Sequence, residues 1–135
     1  MPPIRLLVVE DSRADLDLLE IAFRDAGLPV WFDTVETAGE ACARVRDIAA
    51  GIEPLPDLVL LDLRLPDQPG ELVLREIRSH RELDGVPVVV LTGSATRRME
   101  IQRMGADGYI VKPLRYDELL DVVEELRAYL PDAIA

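Results

Sequence analysis

The chain has 135 residues, 49% of them hydrophobic and 30% charged, a globular composition that favours one domain around one core. Its formal net charge of −11 repels nucleic-acid phosphates and anionic membrane surfaces, so neither is an expected partner. A single cysteine, Cys42, excludes an intrachain disulfide framework and a multi-cysteine zinc site.

The longest apolar runs, such as Val86–Leu91, are too short to span a bilayer. Met1-Pro-Pro-Ile-Arg lacks the pattern of a secretory leader, so the expected compartment is the cytoplasm. We expect one domain over 1–135, with a core from about residue 4 to 130 and a short tail, 131–135.

Short apolar runs alternate with longer amphipathic stretches. Ile4–Val9 reads as a buried strand ending at Glu10-Asp11. Ser12 offers a helix cap with Asp15 three residues on. The helix that follows is expected to bury Leu18, Leu19, Ala22, Phe23 and Ala26 and to end at Gly27. Val30–Val35 is a second strand. A second helix starts near Glu36, carries Ala38, Ala41, Cys42 and Val45, and fades by Gly51.

Leu58–Leu61 is a third strand ending at Asp62. The loop Arg64–Gly70 follows, then a helix from about Glu71 to His80 with Val73, Leu74 and Ile77 inward. His80, the sole histidine, sits near a helix end and reads as a surface residue. Val88–Leu91 is a fourth strand, ending at Thr92-Gly93. A weakly amphipathic helix holds Met99, Ile101 and Met104 and closes at Gly105. Gly108–Val111 is a fifth strand, ending at Lys112-Pro113. The last helix runs from Tyr116 to about Leu130, where Pro131 stops it.

Strict alternation of five strands and five helices predicts an α/β fold with a parallel sheet covered on both faces. Ligands of such sheets bind beyond the carboxyl ends of the strands. There this sequence puts Glu10 and Asp11, Asp62, Thr92 and Lys112. Three crowded carboxylates repel one another, and a hard cation such as Mg²⁺ relieves that repulsion while taking a phosphate oxygen as a further ligand. An aspartate beside such an ion can attack phosphorus. Lys112 can then hold one phosphoryl oxygen by charge and Thr92 another by its hydroxyl. Tyr109, three residues before Lys112, falls on the opposite face of its strand. It is either a ring that moves between buried and exposed positions or an amphipathic tyrosine with a wet hydroxyl. Pro113 fixes the direction of Lys112 through a cis or a trans bond.

These motifs resemble the receiver domains of two-component response regulators. The resemblance rests on Val8-Val9-Glu10-Asp11-Ser12, on Pro56-Asp57-Leu58-Val59-Leu60-Leu61-Asp62 with Leu65-Pro66 and Gly70, on Pro87–Gly93, and on Gly105–Pro113. It covers residues 4 to 130 and implies a flavodoxin-like strand order, 2-1-3-4-5. It implies that Asp62 accepts a phosphoryl group from a sensor histidine kinase. It further implies that Asp11, Asp62 and the backbone carbonyl of Arg64 ligate Mg²⁺, with Glu10 acting partly through water. Thr92 and Lys112 would bind the phosphoryl group. Tyr109 and Thr92 would couple it to the surface of the fourth helix, fifth strand and fifth helix.

A finer resemblance, to the single-domain regulators that partner bacterial and cyanobacterial phytochromes, rests on three features. These are Glu10–Asp15, the long connection before Asp57, and the ending Ala128-Tyr129-Leu130-Pro131. It implies a bacteriophytochrome as kinase and a homodimer. The tail residues Tyr129, Leu130 and Ile134 suit a dimer contact or a cover for their own core.

Two positions are expected to modulate the site. Arg64 puts a large cation at its mouth and should shield an acyl phosphate from water. Ser94 offers no carboxylate or amide to position an attacking water. Signal output through a protein partner, a phosphorelay and a chemotaxis-type shuttle all remain open. A haloacid-dehalogenase-type phosphatase would need an acid where Arg64 stands, and a P-loop enzyme would need a glycine-lysine loop that is missing.

Overall fold

The computed structural model describes residues 3–131. Five strands and five α-helices alternate: β1 (Ile4–Val9), α1 (Arg13–Asp25), β2 (Val30–Val35), α2 (Ala38–Ala49), β3 (Leu58–Leu61), α3 (Glu71–Arg78), β4 (Val88–Thr92), α4 (Arg98–Arg103), β5 (Gly108–Val111) and α5 (Tyr116–Leu126). The strands form one sheet in the order β2-β1-β3-β4-β5. Every pairing is parallel, so every strand's carboxyl end lies on the same edge. The predicted fold class and strand order both hold.

The period of two along each strand divides the core into two layers. Leu7, Val9, Val59, Leu61, Val88 and Val90 pack with α2, α3 and α4. Ile4, Leu6, Val8, Leu58, Leu60 and Val89 pack with α1 and α5. All four residues of β3, the central strand, are buried, as a strand covered on both faces must be. Register therefore decides which side chains reach the carboxyl edge of the sheet. Val9 pairs with Leu61, which brings Glu10 and Asp62 to one level, and Leu61 pairs with Val90, so Thr92 ends its strand one residue further along the same edge.

Helix starts follow their capping residues. The Ser12 side chain accepts from the Asp15 N–H at 3.2 Å and opens α1. Thr37 accepts from the Glu40 N–H at 3.0 Å and opens α2, two residues later than the apolar spacing predicted. Gly27, at φ 73°, takes the left-handed position after α1.

Several expected positions are corrected. In α1 Leu16 joins the expected Leu19, Ala22 and Phe23 as buried residues, while Ala26 is half-buried and Leu18 stays 46% exposed beside the cleft between α1 and α5. In α4 Ile101 is buried and Met99 faces out. Helix α3 stops at Arg78 rather than His80. Helix α5 ends at Leu126 and tightens into a 3₁₀ turn over Arg127–Tyr129, and Leu130 is already extended. A residue before proline disfavours the helical conformation, so Pro131 acts one residue upstream of itself. Tyr129 and Leu130 pack on the α1/α5 side of their own core, and Ile134 lies outside the described residues.

Candidate functional site

Each strand carries its polar residue to the same edge. Glu10 follows β1, its N–H donating to the Val35 carbonyl at 3.0 Å. Asp62 follows β3, its N–H donating to the Val9 carbonyl at 3.0 Å. Lys112 follows β5 and donates its N–H to the Thr92 carbonyl at 2.7 Å. These main-chain bonds continue the sheet one residue past its strands and fix where the side chains start.

Glu10, Asp11 and Asp62 each offer a carboxylate oxygen, all within 4.8 Å of one another. Glu10 and Asp62 are buried and Asp11 is exposed. Oxygen donors alone, without histidine or cysteine, suit a hard divalent cation. Asp62 is held at both oxygens. One accepts from the Arg64 N–H at 3.0 Å and the other from Lys112 Nζ at 3.0 Å. Lys112 Nζ also donates to Glu10 at 2.5 Å and to Asp15 at 3.0 Å.

The charge at this edge is unbalanced, and Glu10 registers it. Burial, aided by the neighbouring Asp62 charge, pushes the Glu10 carboxyl up to about 7 despite its bond to Lys112. Burial opposes the Lys112 ammonium, but its three carboxylate bonds outweigh that and hold it well above the ordinary lysine range. One ammonium facing four acids leaves an excess of negative charge that a dication would neutralise.

The β3–α3 loop is shaped by Gly70. A Cβ there would lie 2.4 Å from the Asp62 carbonyl oxygen and 2.6 Å from the Leu63 Cα. The Gly70 N–H donates to the Leu63 carbonyl at 2.9 Å, folding the loop back onto the backbone that carries Asp62. Asp67 secures the far side of this loop. Its two oxygens accept from the Ala38 and Gly39 N–H groups at 2.8 and 2.9 Å, capping α2 from outside. Those bonds hold the Asp67 carboxyl below its ordinary range.

Thr92 is buried, and its hydroxyl accepts from the Ser94 N–H at 3.4 Å. With Ser94, Arg64 and Arg97 it lines a polar cleft between the β3–α3 and β4–α4 loops. Arg97 bridges that cleft's walls, donating to Glu71 at 2.6 Å and to Glu100 at 2.7 Å. Tyr109 is buried with its hydroxyl donating to the Ser94 carbonyl, which replaces the wet-hydroxyl expectation. The Arg98 guanidinium lies 5.2 Å from the ring centre and donates to the Tyr109 carbonyl at 2.8 Å. No peptide bond among the described residues is cis, so Lys112–Pro113 is trans.

Thus Glu10, Asp11, Asp62 and Lys112 form one cluster, with Thr92, Ser94 and Arg64 beside it and Tyr109 behind them. The sequence offers Asp15 as a capping residue and as the end of the Glu10–Asp15 motif, with no role at the site, and it assigns none to Asp67. Asp15 lies in the first turn of α1, three residues after its cap Ser12. Nothing in the sequence pairs it with a lysine 97 residues away.

Residues 6–124 match the model of the response regulator receiver domain. The chain belongs to the response regulator receiver family. The receiver is 35% identical over 130 residues to the probable methanogenesis regulatory protein FilR2 of Methanothrix harundinacea, covering 94% of this chain and 83% of that one. It spans about half the length of other curated relatives, such as TcrX of Mycobacterium tuberculosis, at 36% identity. Among solved structures it resembles the phosphorylated cyanobacterial phytochrome response regulator RcpA, with TM-score 0.84, 30% identity, and 99% and 98% of the two chains covered. It also resembles the Mn²⁺-bound response regulator Rcp1, with TM-score 0.82, 27% identity, and 98% of each chain covered. No helix among the described residues of the receiver is long and apolar enough to cross a membrane.

Proposed function

We propose that Asp62 accepts a phosphoryl group from a phosphohistidine of a sensor histidine kinase. The observation that carries this reading is the meeting of Glu10, Asp11 and Asp62 oxygens within 4.8 Å, with Lys112 Nζ 3.0 Å from Asp62. In the transfer an Asp62 oxygen bonds to phosphorus. The P–N bond breaks, and its electron pair returns to the imidazole. Such a reaction depends on alignment and charge neutralisation more than on covalent help from the protein.

Asp11 and Asp62 would hold Mg²⁺ directly, together with the main-chain carbonyl of Arg64, and Glu10 partly through water. Bound there, the ion supplies positive charge against the phosphoryl oxygens. The all-oxygen donor set supports this assignment, as does the likeness to Mn²⁺-bound Rcp1. Lys112 donates to one phosphoryl oxygen and the Thr92 hydroxyl to another. Arg64 and Ser94 line the mouth and set how readily water reaches the acyl phosphate.

Thr92 and Tyr109 convert phosphorylation into a change of surface. Swinging the Thr92 side chain toward the phosphate would carry its oxygen away from the Ser94 N–H it now accepts from, and the Ser94 carbonyl anchors Tyr109. The α4-β5-α5 face, with Met99 67% and Val111 39% exposed, is then read by a protein partner or by a second copy. The likeness to RcpA supports a phytochrome-type kinase as the donor. The test is intact-mass measurement after acetyl phosphate treatment in Mg²⁺. Wild type should gain one phosphoryl group, and Asp62→Asn or added chelator should abolish the gain. An Asp62→Asn protein that is labelled like wild type overturns the assignment.

A further inference from the structure

Lys112 is the cation on which this reading depends, and all of its donors are in use. An ammonium carries three N–H bonds and no acceptor. Here one goes to Glu10, one to Asp15 and one to Asp62. The three partners differ. Glu10 and Asp62 are buried members of the carboxylate cluster, and Glu10 also accepts from the Ser12 N–H at 3.1 Å. Asp15 lies outside that cluster, on the first turn of α1, with its side chain 48% exposed. Its main-chain N–H, bonded to Ser12, fixes where its carboxylate starts.

We propose that Asp15 is a positioning residue that competes with the phosphoryl group for Lys112, so that its charge favours the dication and opposes the phosphodonor. The proposal rests on Asp62 being the acceptor. When an Asp62 oxygen bonds to the phosphorus of acetyl phosphate, the P–O bond breaks and its electron pair leaves with acetate. Esterified Asp62 loses its charge, so the Lys112 donor it used passes to a phosphoryl oxygen. The Asp15 bond keeps a second donor away from that group. Its negative charge also faces the incoming anionic donor while adding to the field that draws in Mg²⁺. Removing the charge therefore moves the two properties in opposite directions. A side chain that merely supported the start of α1 would move them together or not at all.

The experiment compares wild type, Asp15→Asn and Asp15→Glu by calorimetric Mg²⁺ titration and by phosphorylation rate with acetyl phosphate at saturating Mg²⁺. Asp15→Asn should bind Mg²⁺ roughly two- to fivefold more weakly and become phosphorylated roughly two- to fivefold faster, the scale of one exposed charge. Asp15→Glu, which restores the charge, should return both toward wild type. Parallel shifts, no shift in either, or no rescue by glutamate overturns the role of Asp15 while leaving the acceptor reading intact. A wild-type protein that takes no phosphoryl group overturns the acceptor reading and this inference with it.

Discussion

Two cations sit among oxygen acceptors at opposite ends of this sheet, and their surroundings differ in charge. Near the amino ends of β4 and β5, Arg78 donates to the carbonyls of Gly105, Leu83 and Val86 at 2.9, 3.2 and 3.2 Å. Its only carboxylate partner among the described residues is Asp107, at 2.8 Å, which also accepts from the Val88 N–H at 2.8 Å. That end is electrically balanced, and its geometry ties α3 to the starts of two strands. At the carboxyl ends Lys112 meets three carboxylates, with Asp11 as a fourth acid nearby. Similar bonding thus does different work. A neutral set fixes the fold, whereas a set with surplus negative charge favours a cation, which in the proposed reaction would offset the charge of the phosphodonor.

The largest expected effect breaks the balanced end. Arg78→Ala removes one donor from each of three carbonyls and the charge partner of Asp107, which keeps only the Val88 N–H, and should cost about 2–4 kcal/mol in denaturant unfolding. The stabilisation gained from added Mg²⁺ should survive in that variant, because the ion's site is at the other end. A loss of both would deny the separation drawn here.

A second effect is confined to the acidic end. Folding raises Glu10 from 4.5 to about 7, so between these values the folded protein holds a proton that the unfolded chain releases. Metal-free stability should therefore fall as pH rises from about 4.5 to about 7, and the Glu10 contribution should level off above that. Glu10→Gln should flatten this part of the profile, and saturating Mg²⁺, which favours the ionised acid, should flatten it in wild type. A Glu10→Gln profile as steep as wild type over that range would count against the surplus-charge account.

The smallest effect is kinetic. Arg64→Asn should lose its acyl phosphate roughly threefold faster, the worth of one exposed contact. Measured as decay of the phosphorylated mass after donor removal, an unchanged lifetime would remove Arg64 from the shielding role.

The ends of this molecule also differ in how far the sequence discloses them. Glu10, Asp62, Thr92 and Lys112 were legible because a parallel sheet needs only strand direction to send its last residues to one edge. Gly70 was legible as part of a motif, though its reason, the approach to the Asp62 carbonyl, required coordinates. The Arg78 hub was not legible. Its partners span Leu83 to Asp107, and three of them are main-chain carbonyls that carry no residue signal. Asp67 and Asp15 escaped for a related reason: each reaches its partner through space, outside any helical or strand period. Leu16 and Leu18 both stand at helical spacing from the buried stripe, three residues before Leu19 and four before Ala22, and only packing selects Leu16.

The central claim is that the surplus acids make one aspartate a reversible phosphoryl acceptor. Borohydride reduction traps an aspartyl phosphate as homoserine, and peptide mass spectrometry then locates it. After acetyl phosphate in Mg²⁺, the account predicts homoserine at position 62 and an unaltered chain when Mg²⁺ is chelated. Reduction at another acid, or at none, would contradict it.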